Sequence, residues 1–160
     1  MEKKINKLVE EFGCELFDES HLNKIFNLSN KNTESLYNLE ALYKSEMIVS
    51  NRDLNILLDA YNNGEKFYIY TGRGPSTGSL HIGHLIPFLV TKYLQELFDC
   101  PVFIQLSTDE KLLRDHLTIE QVEDMAVENT KDILSIGFDH NKTRIVSNFN
   151  SIHHLYPTVM

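Results

Sequence analysis

Tyr68-Ile69-Tyr70-Thr71-Gly72-Arg73-Gly74-Pro75, followed closely by His81-Ile82-Gly83-His84, is the stretch whose reading decides the fold. It reads as a short apolar strand, a glycine-rich turn and two histidines that open a long helix. A helix N-terminus leaves its first amides unpaired at the positive end of the dipole, which suits a phosphate. Glycines let the backbone approach a ligand closely. Two histidines about one turn apart both carry N–H donors for phosphate oxygens. The bland reading of H-x-G-H is a helix start with two incidental histidines. A strand before it and a helix after it, the context that phosphate motifs need, weigh against that reading. The chemistry suggested is attack on ATP rather than storage of a nucleotide.

Working outward, Lys66 to Thr71 is β-branched and aromatic, which predicts a strand, and the loop runs from Gly72 to Ser79. The helix is expected from about Ile82 to Phe98, with Pro87 near its first turn, where a missing N–H costs little. Pro101 to Leu106 reads as a second, buried strand, so strand, helix and strand form a parallel βαβ unit. Thr108 to Arg114 is expected as a short helical turn with acids near its start. Thr118 and Gln121 form a capping box for the next helix, Gly137 closes it, and Thr143 to Ser147 is a third strand. Residues 148–160 read as a loop leading into a helix. Upstream, Ser50 and Asp53 resemble a capping box before the apolar face Leu54, Leu57, Leu58 and Tyr61, and Asn62-Asn63-Gly64 ends that helix. Ser20 is expected to cap a helix from His21 to Leu28. The sum is a doubly wound α/β sheet, whose ligand lies beyond the carboxyl ends of the strands, where Tyr70, Thr71, Gln105 and Ser107 fall.

Composition bounds the function. The 160 residues suit one domain, and the formal net charge of −8 gives no basic cluster for a nucleic-acid surface. If the chain handles a nucleic acid, most of that surface lies elsewhere. No apolar run approaches a membrane span, and Met1-Glu2-Lys3-Lys4-Ile5-Asn6 lacks the apolar core of a leader, so a cytoplasmic protein without a membrane partner is expected. Cys14 and Cys100 are far apart, and the histidines show no zinc spacing, so no metal site is expected from the chain itself.

Phe67 to Ser76, His81 to Phe88 and Ile104-Gln105-Leu106-Ser107-Thr108-Asp109-Glu110-Lys111 together resemble the class I aminoacyl-tRNA synthetases, and within them the tryptophanyl-tRNA synthetases of eukaryotic and archaeal type. The likeness is strong from about Ser50 to Ser147 and weak before it. T-G-R-G-P-S ahead of H-x-G-H is far more specific than H-x-G-H alone. The resemblance implies a Rossmann-like parallel sheet, the first half of a class I synthetase catalytic domain, over residues 50–160, preceded by a mixed, helical extension over residues 1–49. It implies that L-tryptophan attacks the α-phosphorus of MgATP, that the aminoacyl group then passes to tRNA(Trp), and that the protein is a homodimer. Mg2+ accompanies the nucleotide.

Carried over residue by residue, His81, His84 and Lys111 would act on the phosphates. Thr71, Gly72, Arg73, Gly74, Pro75, Ser76 and Gly83 would line the ATP site, with Arg73 a charge-assisted donor and Gly83 leaving room for the adenine ring. Tyr70, Gln105 and Glu110 would hold tryptophan, whose indole needs a flat apolar slot and an acceptor for its N–H. Gln105 is odd as core, because a buried amide needs partners, whereas Tyr70 also fits a core aromatic and Glu110 with Lys111 a solvated helix face. The family's lysine-and-serine loop of K-M-S-K-S type is absent, which predicts a fragment that is inactive by itself. A tyrosine-specific synthetase, an H-x-G-H nucleotidylyl transferase and a non-catalytic binding module remain as alternatives.

Overall fold

The computed structural model describes residues 7, 11–28 and 33–159, and Met1 to Asn6, read above for a leader, lie outside the described residues. The chain divides into two compact units, Met1–Phe67 with Glu96–Asp99, and Tyr68–Gln95 with Cys100–Met160.

In the first unit, β1 (Glu15–Leu16) pairs antiparallel with β2 (Ser50–Asn51), and the helices α1 (Glu19–Leu28), α2 (Thr33–Lys44) and α3 (Leu54–Asn62) are among those that accompany them. Phe17, Leu22, Ile25, Leu39 and Leu58 are buried. Phe17 stacks on His21 and meets the edge of Tyr43, while Tyr61, Phe67 and Phe98 meet edge to face. Such aromatic pairs each add about 0.5–1.5 kcal/mol beyond their area. The cap of α1 is Asp18, not Ser20. The Asp18 Oδ1 accepts the Ser20 N–H at 2.9 Å, the Ser20 hydroxyl at 2.6 Å and the His21 N–H at 3.2 Å. Ser20, then His21, hold that carboxyl at about 2 rather than 3.8. A carboxylate at the positive end of the helix dipole serves the cap better than a hydroxyl two residues further on. The expected Ser50–Asp53 box does not form either. Ser50 is drawn into the ladder opposite Leu16, and Asp53 takes a left-handed φ of 59° with no side-chain cap bond.

The second unit is an α/β layer. Its strands β3 (Ile69–Arg73), β4 (Val102–Leu106) and β5 (Thr143–Ser147) form one parallel sheet in the order β3-β4-β5. The order never reverses among the described strands, so the doubly wound reading is narrowed to a sheet that grows in one direction. The register places Arg73, Leu106 and Ser147 side by side at the carboxyl ends. β3 starts and ends later than expected, because pairing begins where the Ile69 N–H reaches the Pro101 carbonyl at 2.9 Å. Gly72 is required there: a Cβ on it would lie 2.6 Å from the Gln105 carbonyl oxygen of β4.

The helices are α4 (Ile82–Phe98), α5 (Thr108–Asp115), α6 (Ile119–Ser135) and α7 (Asn148–Val159). Thr118 and Gln121 complete the capping box of α6, and Gly137 after it adopts φ 88°. α7 begins directly at Asn148, with no intervening loop. Pro87 lies inside α4 rather than in its first turn. Its missing N–H deprives the Gly83 carbonyl of an intrahelical partner, and the Thr91 hydroxyl donates to the Pro87 carbonyl at 2.8 Å. No helix among the described residues is long and apolar enough to cross a membrane.

One face of this sheet packs on apolar side chains. Val102, Ile104 and Leu106 are buried with Leu80, Phe88, Ala126, Ile133 and Phe138, and Ile69, Leu85, Ile136 and Ile145 pack against that group. Burying each large aliphatic side chain stabilises by about 1.5–3 kcal/mol. The alternate residues Tyr70 and Phe103 are exposed, so the opposite face is open in this chain.

Candidate active site

The site is built at the carboxyl ends of β3 and β4. The loop after β3 is tied to α6 by two polar side chains. Asn129, fully buried, accepts the Ser76 N–H at 2.9 Å and donates to the Ser76 and Gly78 carbonyls at 3.0 and 3.3 Å. Asp132 accepts the Leu80 N–H at 2.8 Å. These four bonds satisfy loop backbone that no strand or helix pairs, and they deliver the chain to the start of α4 in one conformation.

There the His84 and Leu85 N–H groups close the first turn on the His81 carbonyl at 2.8 and 3.2 Å. The rings of His81 and His84 stack with centroids 3.6 Å apart and planes 26° from parallel. Gly83 leaves space for this pair, since a Cβ there would lie 3.3 Å from the His81 ring. The His84 Nδ1 is buried and has no partner. Burial first, then the positive Arg73, then His81, hold the His84 pKa below its usual 6.5. The nearby positive charge thus disfavours the protonated ring, and the neutral ring keeps a buried nitrogen without a partner.

Arg73 bends back over its own loop, its Nε donating to the Gly74 carbonyl at 3.1 Å and its Nη2 to the Ser76 hydroxyl at 3.0 Å. Burial lowers its pKa, yet a guanidinium stays charged at any ordinary pH. Gly72, Arg73, Gly74, Gly83, His84 and Pro87 share a cleft of about 410 Å³ with Phe88 and with Glu110, Lys111 and Arg114 of α5. The Gly83 carbonyl freed by Pro87 therefore belongs to a residue of this cleft.

The α5 side is a lattice of ion pairs. Lys111 Nζ lies 2.9 Å from Asp115 Oδ2, and Arg114 bridges Asp115 at 3.0 Å and Glu110 at 3.1 Å. Lys111, then Arg114, hold the Asp115 carboxyl below its ordinary value. The Ser107 hydroxyl reaches Glu110 Oε2 at 3.3 Å.

Tyr70 and Gln105 stand together on the open sheet face. The Tyr70 hydroxyl donates to Gln105 Oε1, Gln105 Nε2 donates to Asn148 Oδ1 at 2.5 Å, and Asn148 Nδ2 donates to Asp109 Oδ1 at 2.6 Å. Gly72 joins the two groups, because it lines the cleft and also abuts Gln105.

The structure thus brings His84, Lys111, Gly72, Arg73, Gly74, Gly83 and Glu110 to one cleft, with His81 stacked at its rim. It sets Tyr70 and Gln105 beside that cleft as a pair. Pro75 is buried, and Ser76 serves the loop, bonding Arg73 and Asn129. Thr71 lies on the strand face opposite to that of Tyr70, by the alternation of β3. Arg114, Asp115, Asn129, Asn148 and Asp109 were not singled out from the sequence as site residues. Glu110 to Arg114 and Lys111 to Asp115 are i, i+4 pairs on α5, a signal that was readable. Asn129 and Asn148 carry no such local mark. A larger groove of about 530 Å³ lies elsewhere, lined by Leu106, Glu123, Val127, Thr130, Lys131 and Ile145 among others. It holds neither imidazole nor guanidinium, and chemistry rather than volume selects the cleft at α4.

Residues 62–159 match the family model described as tRNA synthetases class I (W and Y). The chain is 44% identical over 147 residues to the cytoplasmic tryptophan–tRNA ligase of Arabidopsis thaliana, covering 92% of this chain and 35% of that protein. It is 43% identical to the corresponding Homo sapiens protein, covering 91% of this chain and 30% of that one. Among solved structures, tryptophanyl-tRNA synthetase of Plasmodium falciparum superposes with a TM-score of 0.84 at 43% identity, covering 96% of this chain and 43% of that one. The tryptophan-bound enzyme of Encephalitozoon cuniculi gives 0.85 at 38% identity, with 96% and 41% covered. The chain spans about a third of the length of the relatives it matches.

Proposed function

Because the chain belongs to the class I tRNA synthetases of the tryptophan and tyrosine group, we propose that the protein containing it activates L-tryptophan with MgATP and charges tRNA(Trp). The observation that carries this reading is the cleft in which His84, Arg73 and Lys111 converge beside the Tyr70–Gln105 pair. A cationic, glycine-lined cleft is suited to a polyphosphate, and the adjacent pair to an aromatic amino acid.

In the first step a tryptophan carboxylate oxygen forms a bond to the α-phosphorus, and the bond to the bridging oxygen breaks to release pyrophosphate. No covalent bond to the protein is needed, so the chain works by positioning and by stabilising charge. Arg73 and Lys111 face the phosphates with permanent charge, and His84 gains a partner for its orphan nitrogen as negative charge builds. Lys111 must leave Asp115 to do so, and Arg114 remains to hold that carboxylate. Mg2+ enters as the counter-ion of the nucleotide. Gln105 and Tyr70 orient the side chain of the amino acid, and Glu110 pairs with its ammonium. In the second step the aminoacyl group moves to the terminal ribose of tRNA, which meets surfaces beyond these residues, in keeping with the acidic balance of the chain. We also assign residues 50–160 to the first half of the catalytic domain, with residues 1–49 as an extension, and infer a cytoplasmic homodimer, in keeping with the cytoplasmic relatives.

The test is amino-acid-dependent exchange between ATP and pyrophosphate in the full-length protein. Tryptophan is expected to drive it, and His84→Ala to slow it by about 10²–10³ with a smaller change in tryptophan affinity, the scale seen when one transition-state donor is removed. Exchange driven by tyrosine but not tryptophan would overturn the substrate. Unchanged exchange in the His84→Ala variant would overturn the role of the cleft.

A further inference from the structure

The geometry points to Asp109 and Asn148 as positioning residues that set which way the Gln105 carboxamide faces, and thereby make the open side of the aromatic pair an acceptor. The inference takes the identity of the substrate from the reading above, but its polarity argument stands on the hydrogen bonds alone.

The chain of bonds has one direction. A carboxylate only accepts, so Asp109 Oδ1, 2.6 Å from Asn148, forces Asn148 to present its NH2 to it. The Asn148 carbonyl then faces Gln105, 2.5 Å away, and receives the Gln105 NH2. The Gln105 carbonyl is left on the other side, where the Tyr70 hydroxyl donates to it. The end of the relay therefore shows lone pairs of Gln105 Oε1 and of the Tyr70 oxygen, and no N–H. Remove the carboxylate and either amide can turn over, since an asparagine at that position could donate as well as accept. A glutamine turned over would offer its NH2 to the substrate. A ligand whose ring carries an N–H would then meet a donor, and the cost of leaving a donor unpaired falls on it.

The elements explain why these residues meet. β4 and β5 are parallel with Leu106 opposite Ser147, so the first helical residues after each strand lie side by side. Asp109 is in the first turn of α5 and Asn148 opens α7. The Thr108 hydroxyl accepts the Phe149 N–H at 3.2 Å and lies 3.1 Å from the Ser147 hydroxyl, which pins the two helix starts together.

The experiment compares wild type, Asp109→Asn, and the exchange variant Asp109→Asn/Asn148→Asp in the full-length protein. The exchange variant keeps the net charge and puts the carboxylate next to Gln105, which must again donate its NH2 to it. Two readouts are taken. The first is the ratio of kcat/KM in pyrophosphate exchange for tryptophan against β-(3-benzothienyl)alanine, which has sulfur where the indole has N–H. Asp109→Asn should lower that preference roughly tenfold, about the worth of one hydrogen bond, with the loss in KM for tryptophan and little change for the sulfur analogue. The exchange variant should recover most of it. A merely structural role would slow both substrates alike. The second readout is the side-chain amide NMR signals of Gln105, which should move or broaden in Asp109→Asn and return in the exchange variant. That readout decides the polarity even if wild type shows no tryptophan-dependent exchange, a result that would sink the substrate assignment instead. An unchanged substrate ratio and unmoved Gln105 signals in Asp109→Asn, or an exchange variant that behaves like Asp109→Asn, would overturn the inference.

Discussion

The two faces of the β3–β4–β5 sheet are made from the same strands and do opposite work. On one face Val102, Ile104 and Leu106 are buried at 0 to 2% exposure. On the other, Tyr70 is 60% exposed and Phe103 39% exposed, and Gln105 sits in a relay of polar side chains. The first face is held by area removed from water, which is insensitive to direction. The second is held by hydrogen bonds, which are worth little net stability but specify orientation. Apolar packing and polar orientation are thus separated by a shift of one residue along a strand.

That separation can be broken most severely at Ile104. Ile104→Ala should cost about 2–5 kcal/mol in urea unfolding, whereas Phe103→Ala, the next residue on the open face, should cost under about 1 kcal/mol. Equal losses would mean the open face is as stabilising as the packed one. Gly72→Ala tests the seam between the two faces. A methyl group 2.6 Å from the Gln105 carbonyl oxygen must push β3 and β4 apart, so a loss of about 1–3 kcal/mol is expected, together with altered Gln105 amide signals. A silent substitution there would show that the strands have slack.

Asn129→Ala comes next. It strands loop groups that Asn129 serves at 2.9 to 3.3 Å. A loss of about 1–3 kcal/mol and faster hydrogen exchange at Ser76 are expected; unchanged exchange would show that the loop holds itself. The smallest effect is one of pH. The folded state resists protonation of His84, whose pKa lies below 6.5, and the unfolded chain does not. The stability linked to the neutral ring is therefore complete above pH 6.5 and is lost as pH falls below that value toward the folded pKa. Replacing His84 by Ala should flatten the stability–pH curve on that acid side only. A curve of unchanged slope would remove His84 as its source.

Much of the fold was legible because it rests on local signals. The Thr118–Gln121 box, the stop at Gly137, the helix from Ile82 to Phe98 and the strand at Thr143–Ser147 stand where periodicity and caps put them. The misreadings have non-local causes. Ser50 was claimed by pairing with Leu16 across a long stretch of chain, and the limits of β3 were set by its partner strand. The reading of Ser20 failed for a nearer reason, since a better acceptor stood two residues earlier.

The sequence by itself determined that this is a parallel α/β chain with a glycine-rich turn leading to paired histidines, because strand period, turn chemistry and helix caps act over a few residues. Only the tertiary structure decided that Asn129 ties down the loop, that Arg114, paired with Asp115, shares the cleft with His84, and that Asp109, Asn148, Gln105 and Tyr70 form one directed relay. Those meetings depend on the register of three strands and on where the helices after them begin. A hydrogen bond needs its partners within about 3 Å, a condition that no pattern along the chain encodes.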